Sequence, residues 1–396
     1  MTLVELHEVG FRRDRDEWIV GRVDSGDFVA VPSAGLRAIQ LLQEYGSVEE
    51  TERRLFEETG TRLDVAGFVA GLTEAGLVAA VDGRATGSPV PPPPTLPRLT
   101  ARHVRWALSP RLHIAVALII VVGAVTLVYR PELMPGWRDL LWSSHGTAVL
   151  LTQIAVGWSL ILLHELAHLS TARAAGVPGR IRLGTRLQFL AAQTDVSGIW
   201  LAERRIRMTV YLAGMAVDCA VCGVCVILTA TTGRHPILAV VMLTALTMVA
   251  TQFLVFMRTD LYFVLQDLTG CRNMYRDAGA YLLHLVSGRR RPNPLAALPV
   301  AERRALRWYT PLAALGTAGC LSIALLITLP ATLVLLTRAF ETLSRPPSPA
   351  QFADALVTLF VILFFQSLWA RAWWRRHGRR VRRAVTISRP ATAQRK

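Results

Sequence analysis

Six long apolar runs, near residues 112–129, 147–170, 208–230, 236–257, 311–337 and 352–370, dominate the chain beyond its first quarter. Each comes close to the ~20 residues that an α-helix needs to cross the hydrocarbon core of a bilayer. The pattern therefore predicts a multi-pass α-helical membrane protein with about six transmembrane helices. Composition points the same way: 52% of the 396 residues are hydrophobic, mean hydropathy is +0.37 and the formal net charge is +16, a pairing that water-soluble globular domains rarely show.

The charge is unevenly spread. Residues 1–88 hold nine Arg against sixteen Asp and Glu, leaving thirty-five basic and twelve acidic residues for the remainder. An acidic, water-soluble part is thus expected beside a basic, membrane-embedded one. The arginines gather at the ends of the apolar runs, where anionic headgroups and the positive-inside bias account for them. The lipid bilayer is the expected partner, and nucleic acid is not. Arg173, Arg180, Arg182, Arg186, Arg204, Arg205 and Arg207 separate the second and third runs, and a second arginine-rich loop from Arg272 to Arg307 separates the fourth and fifth. Those loops, both termini and the basic tail RAWWRRHGRRVRRA are expected on the cytoplasmic side of a bacterial inner membrane. Five cysteines do not suggest a disulfide framework, and no charged start followed by a short apolar run marks a cleavable signal peptide.

Residues 1–86 read as a small α+β, winged-helix-like soluble domain. WIVGRV (18–23) and DFVAVP (27–32) form a strand pair around the turn residues DSG. Three helices follow, the first burying Leu36, Ile39, Leu41 and Leu42, the second capped by Ser47 with Glu50 three residues on, the third capped by Asp64 and running to Glu74. A closing strand lies in GLVAAVDG. The proline-rich stretch in residues 87–100 reads as a stiff spacer. The membrane domain then covers 101–380, with a core at 147–275, and 381–396 form a basic tail.

The second apolar run carries the sequence HELAH. His164 and His168 are four residues apart, so a helix stacks them on one face, where two imidazoles can bind one metal ion. Glu165 lies beside them, placed to act as general base toward a water held there. Ionisable groups inside a spanning helix cost roughly 2.5–3.5 kcal/mol each on insertion scales and default to a functional reading. Arg173 follows His164 by nine residues, about 13 Å at helical rise, which sets the motif inside the membrane toward its cytoplasmic face. Polar glue between helices, or the lining of a transport path, is the competing explanation. Zinc needs a third protein ligand. Depth favours Asp260, just after the fourth run; Asp267, two helical turns on, comes second, and Asp218 and Asp195 are further candidates.

Two resemblances emerge from these motifs. SVEETERRLFEETGTRLDVAGFVAGLTEAGLVAAV resembles the PqqD-like peptide-binding domain, or RiPP recognition element, which implies a leader peptide as a partner of residues 1–86. HELAH, LAG at 212–214 and TDLYFVLQDLTG together resemble the core of the site-2 protease family of intramembrane zinc metalloproteases. That resemblance implies Zn²⁺ held by His164, His168 and Asp260, Glu165 as the catalytic base, and hydrolysis of a peptide or membrane-protein substrate. The chain departs from the family pattern at Leu261, where Gly is usual, and at Gln252 and Val255, where Asn and Pro are expected. RTDLYFVLQD is closer to a bacterial subgroup of peptide zinc metalloproteases whose members can carry PqqD-like domains, which points toward peptide maturation.

Three features complete the reading. Residues 186–205 alternate like strands around TDVSG, and are either a hairpin at the membrane interface or a connecting loop. Cys219, Cys222 and Cys225 fit small residues at a helix interface better than metal ligands. Two functions compete with hydrolysis: a noncatalytic membrane scaffold that binds or exports peptide with a structural zinc, and a transporter that uses the intramembrane polar groups.

Overall fold

A computed structural model describes residues 2–87, 91, 93–140, 142–143, 146–186, 189–271, 273–296, 298–323, 325–326, 329–344 and 348–387. The chain forms two compact units, one of residues 1–113 with 166–181 and 194–210, the other of 114–165, 182–193 and 211–396. The expected boundaries at 86 and 100 fall inside the first unit.

The first unit begins with strands β1 (Val4–Leu6), β2 (Gly10–Asp14), β3 (Glu17–Gly21) and β4 (Phe28–Val31). Helices α1 (Ser33–Tyr45), α2 (Val48–Thr59) and α3 (Val65–Glu74) follow, then β5 (Val78–Val81) and β6 (Arg84–Ala85). β2, β3 and β4 form one antiparallel sheet, in which Trp18 faces Val31; β1, β5 and β6 form another. The helices end where local chemistry ends them. Gly46 and Gly60, with φ near +67° and +68°, take the left-handed conformation that closes α1 and α2. The Glu50 amide donates to the Ser47 hydroxyl and the Gly67 amide to the Asp64 carboxylate, each such cap contributing about 1 kcal/mol. The Glu50 carboxylate itself turns outward to Arg53 and Arg54. Leu36, Ile39, Leu41 and Leu42 are buried with Val20, Leu55, Leu72 and Val78 in one core, where each fully buried aliphatic side chain contributes about 1.5–3 kcal/mol.

The proline-rich stretch is not a free spacer in its described part. The Thr95 amide donates to the Gly179 carbonyl, the Ile181 amide donates to the Thr95 hydroxyl, and Arg173 donates to the carbonyls of Thr95 and Leu99. Residues 88–90 and 92 lie outside the described residues. The segment Ser197–Leu201, a 3-10 turn, packs on the first sheet: Arg12 donates to the Trp200 carbonyl at 2.8 Å, and Arg180 donates to the Asp24 carbonyl at 2.8 Å. Gly26, at φ +79°, brings the β3–β4 turn so close that an added Cβ would stand 2.7 Å from Ser197 Cβ.

A single turn α4 (Ala101–Val104) precedes α5 (Pro110–Tyr129), followed by α6 (Gly146–Ala174), strands β7 (Arg180–Arg186) and β8 (Phe189–Asp195), and α7 (Arg204–Thr232). Next come α8 (Pro236–Gln252), α9 (Asp260–Thr269), α10 (Met274–Val286), α11 (Val300–Ile323), α12 (Leu329–Ser344) and α13 (Pro349–Ile387). Among the described residues, four of these, within α5, α6, α7 and α13, are long and apolar enough to cross a membrane. α5 exposes Ile114, Leu118, Val121, Val125 and Val128, which is how a helix solvated by lipid looks. Of the other two expected spans, 236–257 contains the 17-residue α8 followed by a 3-10 turn, and 311–337 is shared between α11 and α12. Pro311 sits inside α11, and Pro330 occupies the first turn of α12, where its missing N–H costs nothing. α13 runs through the first seven residues of the expected tail; 388–396 lie outside the described residues.

The hairpin expected around TDVSG lies one strand earlier. β7 pairs with β8, and TDVSG instead opens the 3-10 turn, because the Asp195 carboxylate accepts from the Ser197 amide and hydroxyl. Cys225 is buried with Leu133, Val226 and Met242, and Cys222 Sγ lies 3.9 Å from the Met242 carbonyl, so both pack between α7 and α8.

The N-terminal strand is latched by charge. The Thr2 amide donates to both Glu49 carboxylate oxygens at 2.9 Å. The amides of Glu49 itself and of Thr2 hold this carboxyl far below its ordinary 4.5, at about 2. A depressed carboxylate stabilises the fold above its unfolded value, and that contribution is lost as pH falls through the folded one. Hydrogen-exchange protection of Val4–Leu6 is therefore expected to decline between about pH 4.5 and 2 in the native protein. Glu49→Gln should lower that protection at neutral pH and abolish its decline; an unchanged profile would refute the latch.

Candidate metal centre

α6 carries His164, Glu165 and His168, all buried, at 4%, 7% and 6% exposure. Their helix is continuous across the motif, so a rise of one turn stacks the two rings on one face. Each ring is held at Nδ1. His164 Nδ1 lies 2.7 Å from an Asp218 carboxylate oxygen, and His168 Nδ1 lies 2.7 Å from the Val210 carbonyl. A carbonyl oxygen only accepts, so Nδ1 of His168 is the donor and Nε2 carries the lone pair in the neutral ring. An ionised Asp218 imposes the same tautomer on His164.

Asp260 arrives from elsewhere in the chain, at the first position of α9. Its carboxylate oxygen lies 3.0 Å from His164 Nε2. Two lone-pair acceptors at that distance require a positive charge between them, a proton or a metal ion. One ligand atom from each of His164, His168 and Asp260 lies within 4.8 Å of the others, close enough to hold a metal ion. A tetrahedral ion with bonds of about 2.0–2.2 Å separates its ligand atoms by about 3.4 Å, a spacing that these distances bracket.

Asp260 is positioned by residues just upstream. α8 ends at Gln252, a buried residue whose amide oxygen accepts the Asp260 N–H at 3.0 Å, while the Thr259 hydroxyl donates to the Gln252 carbonyl at 2.6 Å. Gln252 thus caps α9 in place of the Thr259 side chain, which makes no such bond. In the sequence Gln252 registers as a departure from a family pattern; its role depends on a turn that brings residues 252 and 260 together.

Of the candidate acids, Asp260 joins the two histidines. Asp267, Asp218 and Asp195 do not belong to the metal-holding group found among the described residues. Asp218, in α7 and 1% exposed, has a different place: it grips the far side of the His164 ring. Carboxylate–imidazole pairs of this kind orient a metal ligand and raise its basicity. The sequence offers a signal, an acid interrupting an apolar span, but not the distinction between binding an ion and orienting a ring that does.

No protein-family model, curated protein or solved structure matches this chain. Asp218→Ala is expected to weaken metal binding by about 10–100-fold, measured by competition with a chromogenic chelator on the purified protein. Unaltered affinity would reduce Asp218 to a packing residue.

Proposed function

We propose that the chain is an intramembrane zinc metallopeptidase of the site-2 protease type, cleaving peptide bonds of a peptide or membrane-protein substrate. The observation that carries this reading is the convergence of His164 and His168, on a membrane-length helix, with Asp260 from a distant element. Two imidazoles and one carboxylate form a three-ligand set, which leaves a fourth position for water or substrate in catalytic zinc sites. Bound there, zinc supplies a Lewis acid that polarises a carbonyl and acidifies a water.

The chain's own groups do the rest. Asp218 and Val210 keep both Nε2 atoms turned toward the centre, and Gln252 holds the backbone of Asp260 at its height. Glu165, next to His164 and buried, takes the proton of the attacking water as the C–O bond forms. It delivers that proton to the departing amine nitrogen as the C–N bond breaks. The hold of Gln252 on Asp260 answers one departure from the family pattern, since a residue other than Asn does the positioning.

The finer topology belongs to the same proposal: six crossings of a bacterial inner membrane with both termini cytoplasmic, supported by the arginine-rich loops. The first 86 residues serve as a PqqD-like domain that holds a leader peptide for maturation, a role supported by three capped helices set between two small sheets.

Protein purified in nanodiscs is expected to contain about one zinc per chain. Glu165→Gln should keep the metal while cleavage of membrane-derived and leader-like peptides falls by about 10²–10⁴-fold. Cleavage retained by that variant would remove Glu165 from the mechanism. X-ray absorption showing a closed four-ligand protein site would favour the noncatalytic scaffold.

A further inference from the structure

A cavity of about 550 Å³ opens against residues on either side of Asp260. Strand β7 supplies Arg182 to its wall, the turn before α9 supplies Phe256 and Arg258, α9 supplies Phe263, α10 supplies Tyr275, and α13 supplies Arg375. Its volume falls in the range of small-ligand sites, roughly 300–1,000 Å³. The lining holds three guanidinium groups and, among the described residues, no carboxylate.

Arg258 is built into this wall. Its backbone is left-handed, with φ 58° and ψ 51°, a conformation that a residue with a side chain rarely adopts and that clusters at functional sites. Its guanidinium carbon lies 5.9 Å from the Tyr262 ring centroid and 5.8 Å from that of Tyr275. The Tyr275 backbone amide in turn donates to the Tyr262 hydroxyl at 3.1 Å, which fixes the Tyr262 ring against the start of α10. A planar, always-charged group fixed on aromatic faces is preorganised for an oxyanion.

We propose that this cavity binds a peptide carboxylate beside the bond presented to His164, His168 and Asp260, so that acidic peptide segments are the preferred substrates. The inference rests on the hydrolase reading only for the word substrate; the cavity's choice of charge is a property of its own. An acidic peptide fits better than a lipid headgroup because the wall includes Arg258, two residues from a ligand of the proposed centre, where a selective contact must lie close to the reacting bond. Aspartyl or glutamyl side chains and a free C-terminus share the chemistry, and the test separates them.

Binding is measured on full-length Glu165→Gln protein in phosphatidylcholine nanodiscs, by fluorescence anisotropy, so that no cleavage is required. The probes are a labelled peptide with a central Glu-Glu pair, its Gln-Gln counterpart, and C-terminally amidated forms of both. A charge-assisted hydrogen bond contributes about 1.5–3 kcal/mol, so the acidic peptide is expected to bind at least about tenfold more tightly than the amide version. Arg258→Gln and Arg375→Gln should each reduce that ratio to below about threefold, Arg258→Lys should restore part of it, and the exposed Arg304→Gln should leave it intact. Tighter binding of the free acid than of the amidated form in both peptides assigns the carboxylate to the chain end; a Glu-Glu preference that persists on amidation assigns it to the side chains. Equal binding of all four peptides would overturn the proposal, as would an undiminished preference for the carboxylate in both Arg258→Gln and Arg375→Gln. Displacement of every peptide by nanodiscs rich in phosphatidylglycerol would give the cavity to lipid instead. A charge preference in a protein that cleaves nothing would retain the cavity and defeat the hydrolase reading; cleavage indifferent to charge would do the reverse.

Discussion

A polar side chain inside an apolar helix has to find its partner within the protein, since lipid offers none. His164 meets this demand twice, with Asp218 on one side of its ring and Asp260 on the other. The two bonds tie α6 to α7 and to the start of α9. A single imidazole thus bridges three helices. The arrangement is costly to leave half made. A buried carboxylate at 1% exposure without its ring, or a ring without its carboxylates, carries the full desolvation penalty of an unpaired group.

Local backbone chemistry delivers the distant acid. α8 stops at Gln252, a 3-10 turn follows, Arg258 turns left-handed, and α9 starts at Asp260 with its first amide on the Gln252 side chain. A helix that simply continued would carry Asp260 about 12 Å further along its axis, at 1.5 Å per residue over eight residues. The break folds that length back, which is why a carboxylate so close to the end of one helix can reach a ring on another.

Much of this was open to inspection in the sequence, and the exceptions share a cause. Helix caps at Ser47 and Asp64, the turn at 24–26, the apolar runs and the four-residue histidine spacing all depend on neighbours in the chain, so their physics is written locally. The pairing of β7 with β8 is different. TDVSG has the composition of a hairpin turn, but Asp195 spends its carboxylate on Ser197 and starts a helical turn instead, a choice made where Ser197–Leu201 packs against the first sheet. The proline-rich stretch likewise looks stiff and independent until Thr95 and Arg173 are seen to stitch it down. Asp218 and Asp260 are the same residue type; only a distance says which one faces His164 Nε2 and which one holds Nδ1.

Where α5 meets α7 most closely, two glycines face each other. A methyl group added to Gly123 would lie 2.5 Å from the Gly223 Cα, and one added to Gly223 would lie 2.7 Å from the Ile119 carbonyl oxygen. Backbones this close exclude even a single lipid methylene, and what binds them is dispersion over bare main chain. Asp218 sits five residues from Gly223, about 7.5 Å along α7. The vertical setting of the carboxylate that steers His164 is therefore fixed from behind by two residues with no side chains, acting as a mechanical stop against which α7 cannot slide.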